Sequence, residues 1–286
     1  MLPGHRFEKK DKKTKTMKTS YGAVRHGAFC PHGRLLATCS ENFVHVWEVD
    51  TGTLLHSCDG LQRCARVCFS RDGGAVATAV PMGRGPCGFV FEMERGQVQA
   101  QLDGKGGFEV ECSAVDERVL ITSSHAVRVW TLRGELIFAA ESENDENSIR
   151  QAAFRGMQLL VVYSLLNVKL FDASGELLKS LPGIDRDKIL CAAFSARHVA
   201  VMHQAGGVVL WDLETGEEKE LPRADDFGNT SVDWGLAFTA DGSQLAMTET
   251  SYRSVSVWDV CGERVASCEV GNEDGPWIQS MQLSVR

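Results

Sequence analysis

The chain has 286 residues, of which 43% are hydrophobic and 24% charged, so it is long enough to bury a sizeable core. Its formal net charge of −8 opposes binding to nucleic-acid phosphates over most of the surface. The longest apolar stretch, residues 159–168, is interrupted by polar residues and is shorter than the roughly 20 residues that cross a bilayer, which predicts that the protein does not enter a membrane.

Residues 1–20 form a basic N-terminal arm. Seven basic and two acidic residues lie between Arg6 and Lys18, a net charge of +5 that leaves −13 for the remainder. Lys9–Lys18 is therefore the segment that favours nucleic acid, and its lysines also fit a nuclear targeting signal or a solvated tail. Because no apolar run of a secretory signal follows, we expect a cytoplasmic protein, with the nucleus as the alternative, and mostly reduced cysteines.

From about residue 22 onward the sequence repeats. In six segments, β-branched residues recur at alternate positions, a pattern typical of a half-buried strand. Each of these strands ends at a large aromatic residue, which we call the anchor, and consecutive anchors are 39 to 47 residues apart. A glycine four or five positions after each anchor predicts a tight turn and a further strand. The anchors are Trp47, Phe91, Trp130, Phe171, Trp211 and Trp258.

The earlier part of most repeats predicts two more strands. A phenylalanine closes a short apolar strand about twenty residues before the anchor, and a turn and a second apolar strand follow it. Each repeat is therefore expected to form four consecutive strands joined by turns. The phenylalanines are Phe29, Phe69, Phe154, Phe194 and Phe238.

This pattern, with Trp-Asp at 211–212 and 258–259 and Trp-Glu at 47–48, resembles the WD-repeat β-propellers over about residues 22–271. The resemblance implies an all-β propeller domain over residues 21–286. Its six four-stranded blades would lie at about residues 22–60, 61–103, 104–141, 147–183, 186–222 and 229–271. The family's Gly-His dipeptide and the aspartate six residues before the tryptophan are missing, so its buried His-Asp network is expected to be largely absent.

The chain ends leave two arrangements open. Propellers of this family usually have seven blades, whereas six repeats are found here. The Thr-Lys alternation Thr14–Thr19 and the apolar stretch 276–286 either complete part of a seventh blade or leave a six-bladed ring with an added edge strand. An open edge would favour contact with a partner or with a second copy of the chain.

The sequence carries no motif of a known chemistry. It has no G-x-S-x-G, H-E-x-x-H or P-loop pattern, and the nearest metal-like set, His26, Cys30, His32 and Cys39, straddles a turn. We therefore expect no catalytic residue, no metal and no cofactor. A propeller enzyme with an axial site remains one alternative, since spacing does not reveal such a site.

The family resemblance implies a non-catalytic scaffold for protein–protein interactions, as a subunit or adaptor of a larger complex. An RNA- or ribonucleoprotein-associated propeller that uses the basic arm is another alternative. In the family's fold, the loops before the first strands and between the second and third strands share one face, where aromatic and arginine side chains favour binding. The residues expected there are Tyr21, Arg63, Phe108, His125, Trp234, Tyr252, Arg253 and Trp277.

Overall fold

The computed structural model describes most of the chain as strands and tight turns. No helix is found in this described part. The described residues are 5–10, 17–40, 43–58, 64–81, 85–104, 106–113, 115–142, 148–164, 167–182, 189–203, 207–221, 235–248 and 254–269, with the side chains of 5–10, 17–22, 182 and 269 excluded.

The chain divides into two compact units, Met1–Glu141 with Ala173–Glu176, and Ser142–Asp172 with Leu177–Arg286. The first unit contains the pair β1 (His5–Lys10) and β2 (Met17–Gly22) and three four-stranded sheets. Sheet 1 is β3 (His26–Phe29), β4 (Leu35–Cys39), β5 (Val44–Glu48) and β6 (Leu54–Cys58). Sheet 2 is β7 (Arg66–Phe69), β8 (Ala75–Ala79), β9 (Gly88–Glu92) and β10 (Gln97–Leu102). Sheet 3 is β11 (Glu109–Cys112), β12 (Arg118–Thr122), β13 (Ala126–Thr131) and β14 (Leu136–Glu141).

The second unit contains three further four-stranded sheets. Sheet 4 is β15 (Ile149–Arg155), β16 (Gln158–Tyr163), β17 (Asn167–Phe171) and β18 (Leu177–Pro182). Sheet 5 is β19 (Ile189–Phe194), β20 (His198–His203), β21 (Val208–Asp212) and β22 (Glu218–Leu221). Sheet 6 is β23 (Leu236–Phe238), β24 (Gln244–Thr248), β25 (Ser254–Asp259) and β26 (Arg264–Glu269).

Each four-stranded sheet is an antiparallel meander, because every strand pairs with its neighbour in sequence. The turn between the third and fourth strands contains the glycine that the sequence analysis singled out. In sheet 3 this residue is Gly134, whose φ of 87° lies in the left-handed region that glycine tolerates best. The pairing also shifts by one residue between Val129 and Trp130, a bulge that increases the local twist next to the anchor.

The N-terminal segment forms a hairpin. The sequence analysis allowed a polar strand at Thr14–Thr19, whereas the strand observed is β2, and its partner is β1. Only six residues separate the two strands, so pairing within the hairpin costs less chain entropy than pairing with a distant segment. The apolar stretch 276–286 lies outside the described residues, and its place in a sheet stays a prediction.

The hydrophobic cores lie between consecutive sheets of each unit. Val90, Val119 and Ile121 from sheets 2 and 3 form one core with Trp130. The same arrangement recurs between sheets 1 and 2, 4 and 5, and 5 and 6, where the anchor of the later sheet joins the residues of the earlier one. The anchors in these four cores are 2–8% exposed, and they are Phe91, Trp130, Trp211 and Trp258.

The indole N–H groups of three anchors find acceptors within their own sheets. Nε1 of Trp47 donates to Thr38 Oγ1 at 2.8 Å, and Nε1 of Trp258 donates to Ser256 Oγ at 2.9 Å. Nε1 of Trp211 donates to the carboxylate of Glu218 at 3.3 Å. Since a buried donor without a partner is costly, these local bonds allow each tryptophan to be buried.

Two equivalent phenylalanines have different surroundings. Phe69 closes β7, contributes to the core between sheets 1 and 2 and is 7% exposed. Phe29 occupies the same position at the end of β3 but is 63% exposed. The sequence pattern assigned both residues the same role, but of the two only Phe69 joins a core between consecutive sheets.

We expect Phe69→Ala to lower the free energy of unfolding by about 3 to 5 kcal/mol, because a buried ring is replaced by a cavity. Phe29→Ala is the matched control and should change it by less than about 1 kcal/mol, since most of the ring is already in water. Denaturant unfolding of both variants measures the difference. Equal losses for the two variants would contradict the assignment of Phe69 to the core.

Candidate protein-binding surface

The surface predicted from the sequence lies at one end of each sheet. In an antiparallel meander, the loop before the first strand and the loop between the second and third strands fall at the same end. Phe108, directly before β11, and His125, between β12 and β13, are both at this end of sheet 3. Tyr21 lies on β2, with its side chain outside the described residues. The other five predicted contacts also lie outside them, and they are Arg63, Trp234, Tyr252, Arg253 and Trp277.

Phe108 is held by backbone contacts on both sides. Its N–H donates to the carbonyl oxygen of Thr122 at 2.9 Å, and the N–H of the preceding Gly107 donates to that of Val80 at 2.8 Å. A side chain at Gly107 would collide with Ile121, so only glycine permits this close approach of the loop to the sheet. Phe108 is nevertheless 46% exposed, which leaves an aromatic residue presented on a well-fixed backbone.

His125 occupies a tight turn held by Ser123. The backbone N–H of Ser123 donates to the carbonyl oxygen of Ala126 at 2.8 Å. The Ser123 hydroxyl accepts the N–H of Ala126 at 3.0 Å and that of His125 at 3.4 Å. These bonds place the exposed His125 at the same end of sheet 3 as Phe108.

A charged pair follows Phe108. Nε of Arg66 on β7 lies 2.6 Å from a carboxylate oxygen of Glu109 on β11. Burial raises the pKa of Glu109, and the charge of Arg66 opposes this rise. Because both side chains are about half exposed, the pair contributes little to stability, but it places polar groups beside the phenylalanine.

The structure also reveals an apolar edge on each of three separate sheets that the sequence analysis missed. The fourth strands of sheets 1, 3 and 4 each begin with two consecutive exposed aliphatic residues. A strand with one buried face normally alternates apolar and polar residues, so two adjacent aliphatic residues after the glycine turn were the available signal. The pairs are Leu54 with Leu55, Leu136 with Ile137, and Leu177 with Leu178.

A groove of about 590 Å³ in the second unit is lined by residues of sheets 5 and 6, including Glu217, Lys219 and Cys261. On its wall, Nε of Arg197 donates to Oδ2 of Asp212 at 2.7 Å, and the N–H of Glu214 donates to Oδ1 at 2.8 Å. These bonds hold the pKa of Asp212 well below its usual range, and the bond from Arg197 contributes most.

The same groove contains His198, whose Nε2 lies 3.9 Å from Oδ2 of Asp212. Burial lowers the pKa of His198 despite the nearby carboxylate, which favours the neutral imidazole. Asp212 is therefore the ion-pair partner of Arg197 rather than of His198. The hydrogen bonds of Asp212 stabilise the turn that follows β21. The arrangement of these side chains does not indicate a particular reaction.

Two further kinds of feature are absent from the described residues. No group of three or more His, Cys, Asp or Glu side chains in these ranges is placed to hold a metal ion. Within the same ranges, no helix is long and apolar enough to cross a membrane.

The chain resembles a known protein family and a solved structure. The family model described as "WD domain, G-beta repeat" matches residues 11–48, which contain β2 to β5. The structure of Kuenenia stuttgartiensis Hydrazine Synthase is similar, with a TM-score of 0.65 and 16% identity over 94% of this chain and 92% of that chain. At this identity the likeness concerns the fold alone. A search of curated protein sequences found no match.

Six consecutive four-stranded antiparallel meanders define an all-β protein of the propeller class. Together with the family model's match to residues 11–48, these sheets are consistent with a divergent WD-repeat β-propeller, as the sequence pattern predicts. WD-repeat domains generally mediate interactions between proteins.

The Arg197–Asp212 pair predicts a specific pH dependence. Because the pKa of Asp212 is depressed in the folded state, its contribution to stability is present above the unfolded-state pKa of about 3.9 and is lost as the pH falls through the lower folded-state value. Arg197→Gln removes the main cause of the depression, so the unfolding free energy of this variant should fall less steeply below pH 4 than that of the wild type. Denaturant unfolding at pH 7, 4 and 3 measures both slopes.

Arg133→Gln is the matched control, since it removes one exposed positive charge from the turn of sheet 3. Its slope should follow the wild type. Parallel slopes for Arg197→Gln and the wild type would show that the ion pair has no thermodynamic effect.

Proposed function

We propose that the protein is a non-catalytic scaffold that binds other proteins, as a subunit or adaptor of a larger complex, through the end of the sheets that carries Phe108. The general role of WD-repeat domains supports this proposal. The observation that carries it is the exposed Phe108 ring on a backbone held by hydrogen bonds to Val80, through Gly107, and to Thr122.

The fixed backbone favours binding because a partner does not have to order the loop. Ordering of flexible loops and side chains subtracts from the free energy of association, whereas a pre-organised aromatic residue contributes its buried area at little entropic cost. The Arg66–Glu109 pair beside it adds polar groups of both charges. The expected partner surface is an apolar cavity for the phenylalanine ring, flanked by polar groups.

The apolar edge supplies a second contact region. Leu136 and Ile137 are 56% and 36% exposed on β14, and exposed aliphatic residues of this kind are common in protein interfaces. Because the edge lies on the fourth strands and Phe108 precedes a first strand, one sheet offers two separate regions to different partners. We propose that the Phe108 region is the main one, since aromatic residues dominate binding energies.

The experiment begins with affinity purification and mass spectrometry to identify proteins that bind the wild type, followed by measurement of their dissociation constants. Phe108→Ala should weaken binding of the main partner by about 30-fold, corresponding to a hot-spot contribution of about 2 kcal/mol. Its unfolding free energy should change by no more than about 0.5 kcal/mol, because the residue is exposed.

Phe29→Ala is the control, since Phe29 is an exposed phenylalanine of the same unit at the opposite end of a first strand. This variant should bind like the wild type. If Phe108→Ala bound every partner with unchanged affinity, the proposed surface would be wrong. If only Leu136→Ala lost binding, the apolar edge of sheet 3 would be the main contact region instead of Phe108.

The β1–β2 hairpin favours a second candidate function, binding of RNA. Its register places Lys9 directly opposite Lys18, and like charges at facing positions destabilise a hairpin unless a counter-charge is present. The phosphates of a nucleic acid would provide this counter-charge. With this function the protein would act in a ribonucleoprotein, in the cytoplasm or in the nucleus.

Fluorescence anisotropy with a single-stranded RNA at 50 and 200 mM salt tests this function. Replacing Lys9, Lys10 and Lys18 by Gln should weaken binding and reduce the slope of log K against log salt by about two, because up to three phosphate contacts are lost. The control replaces Arg34, Arg95 and Arg133, three exposed arginines in turns, by Gln. If the two triple variants weakened RNA binding equally, binding would depend only on the net charge of the protein, which would contradict a site on the hairpin.

A further inference from the structure

Two cysteines meet between the first strands of sheets 2 and 3. Cys68 lies on β7 and Cys112 on β11, and their Sγ atoms are 2.7 Å apart. Both are free thiols. Their separation is only slightly longer than the S–S bond of about 2.05 Å, so the two side chains need little movement to become bonded.

Contacts on both sides of the cysteines determine this position. On one side, Arg66 pairs with Glu109 at 2.6 Å. On the other, Nη1 of Arg71 donates to the carbonyl oxygen of Val115 at 3.3 Å. The three links follow the same order along both segments, so the first strands of sheets 2 and 3 run side by side and bring the two sulfur atoms to the same level.

The pair is also within reach of small molecules. Cys68 and Cys112 are each partly exposed. A second cysteine pair provides a comparison, because Cys39 and Cys64 are also hydrogen-bonded to each other, but both are completely buried. A small oxidant can therefore reach the partly exposed Cys112 without unfolding, whereas the structure excludes it from Cys39 and Cys64.

We propose that Cys68 and Cys112 form an oxidative modification site, at which a peroxide converts the two thiols into a disulfide that joins sheets 2 and 3. In the first step the Cys112 thiolate attacks one oxygen of hydrogen peroxide, the O–O bond breaks, and a sulfenic acid and hydroxide form. In the second step the sulfur of Cys68 attacks the sulfenic sulfur, the S–O bond breaks, and water leaves with the thiol proton. The two thiols lose two electrons in total, and the peroxide is reduced to two water molecules.

The order of the two steps follows from the surroundings of Cys68. Burial raises the pKa of Cys68 well above its usual value, and the contact with Cys112 adds to the rise. Because the thiolate is the nucleophile and burial disfavours it at Cys68, the first attack on peroxide is made by Cys112. The product crosslinks two sheets that otherwise meet only through noncovalent contacts, which restricts the unfolded chain and stabilises this part of the protein.

Peptide mapping of the wild-type protein tests the proposal. The reduced protein is treated with a few equivalents of hydrogen peroxide, its remaining thiols are alkylated in denaturant without reduction, and it is digested with trypsin. Cleavage after Arg66 and Arg71 isolates Cys68 in Val67–Arg71, and cleavage after Lys105 and Arg118 isolates Cys112 in residues 106–118. Each peptide contains one cysteine, so a crosslinked product identifies its partners without ambiguity.

We expect the crosslinked pair of peptides, a decrease from ten free thiols to eight, and full recovery of ten after treatment with dithiothreitol. The melting temperature should rise by several degrees on oxidation and return on reduction. Recovery of both cysteines as alkylated thiols, or a link from Cys68 to any other cysteine, would overturn the proposal.

Two variants complete the test. Cys112→Ser should abolish both the crosslink and the rise in melting temperature, whereas Cys261→Ser, at an exposed turn of sheet 6, should leave both unchanged. The peptide map of the wild type decides the outcome even if Cys112→Ser folds poorly. An unchanged melting temperature in the crosslinked wild type would contradict the stabilising role of the disulfide.

Discussion

Each four-stranded sheet depends on the burial of one face against the sheet next to it. A single meander of short strands exposes too much apolar surface to be stable alone, and the core between two sheets removes that surface from water. In sheets 2, 3, 5 and 6, the aromatic anchor of the third strand makes this contact with the preceding sheet. Burial of the indole ring requires a partner for its N–H, which Thr38, Ser256 and Glu218 provide for three different tryptophans. The anchors thus couple hydrogen bonding within a sheet to packing between sheets.

This packing also determines where the protein can interact. Where a sheet face is buried in a core, the ends of the strands and the fourth-strand edges remain accessible to other molecules. Gly107 lies close to Ile121 of the core, and this contact fixes the backbone beside the exposed Phe108. A core contact thus positions a residue of the proposed binding surface. The proposed scaffold function therefore follows from the same contacts that stabilise sheets 2 and 3, rather than from a separate catalytic constellation.

The first strands contribute differently from the third strands. Their contacts between sheets include polar and sulfur-containing groups, such as Arg66 with Glu109 and Cys68 with Cys112. Such contacts respond to salt or to oxidants, whereas the buried aromatic contacts do not. A covalent link at this position would add to the noncovalent core of Trp130 without changing the strand order, because the two strands already lie side by side.

The strands, the glycine turns and the anchors of the six sheets could be predicted from the sequence, because these depend on local features. The alternation before Trp130 and the glycine at 134 act over a few residues, and the structure has a strand and a left-handed turn at these places. The sequence did not predict the different exposure of Phe29 and Phe69, the outward position of Phe108, the pairing of β2 with β1 or the contact between Cys68 and Cys112. The physical reason is that each of these features depends on which distant segment lies opposite a residue, and the periodicity of a repeat is the same whether or not a neighbouring sheet covers it.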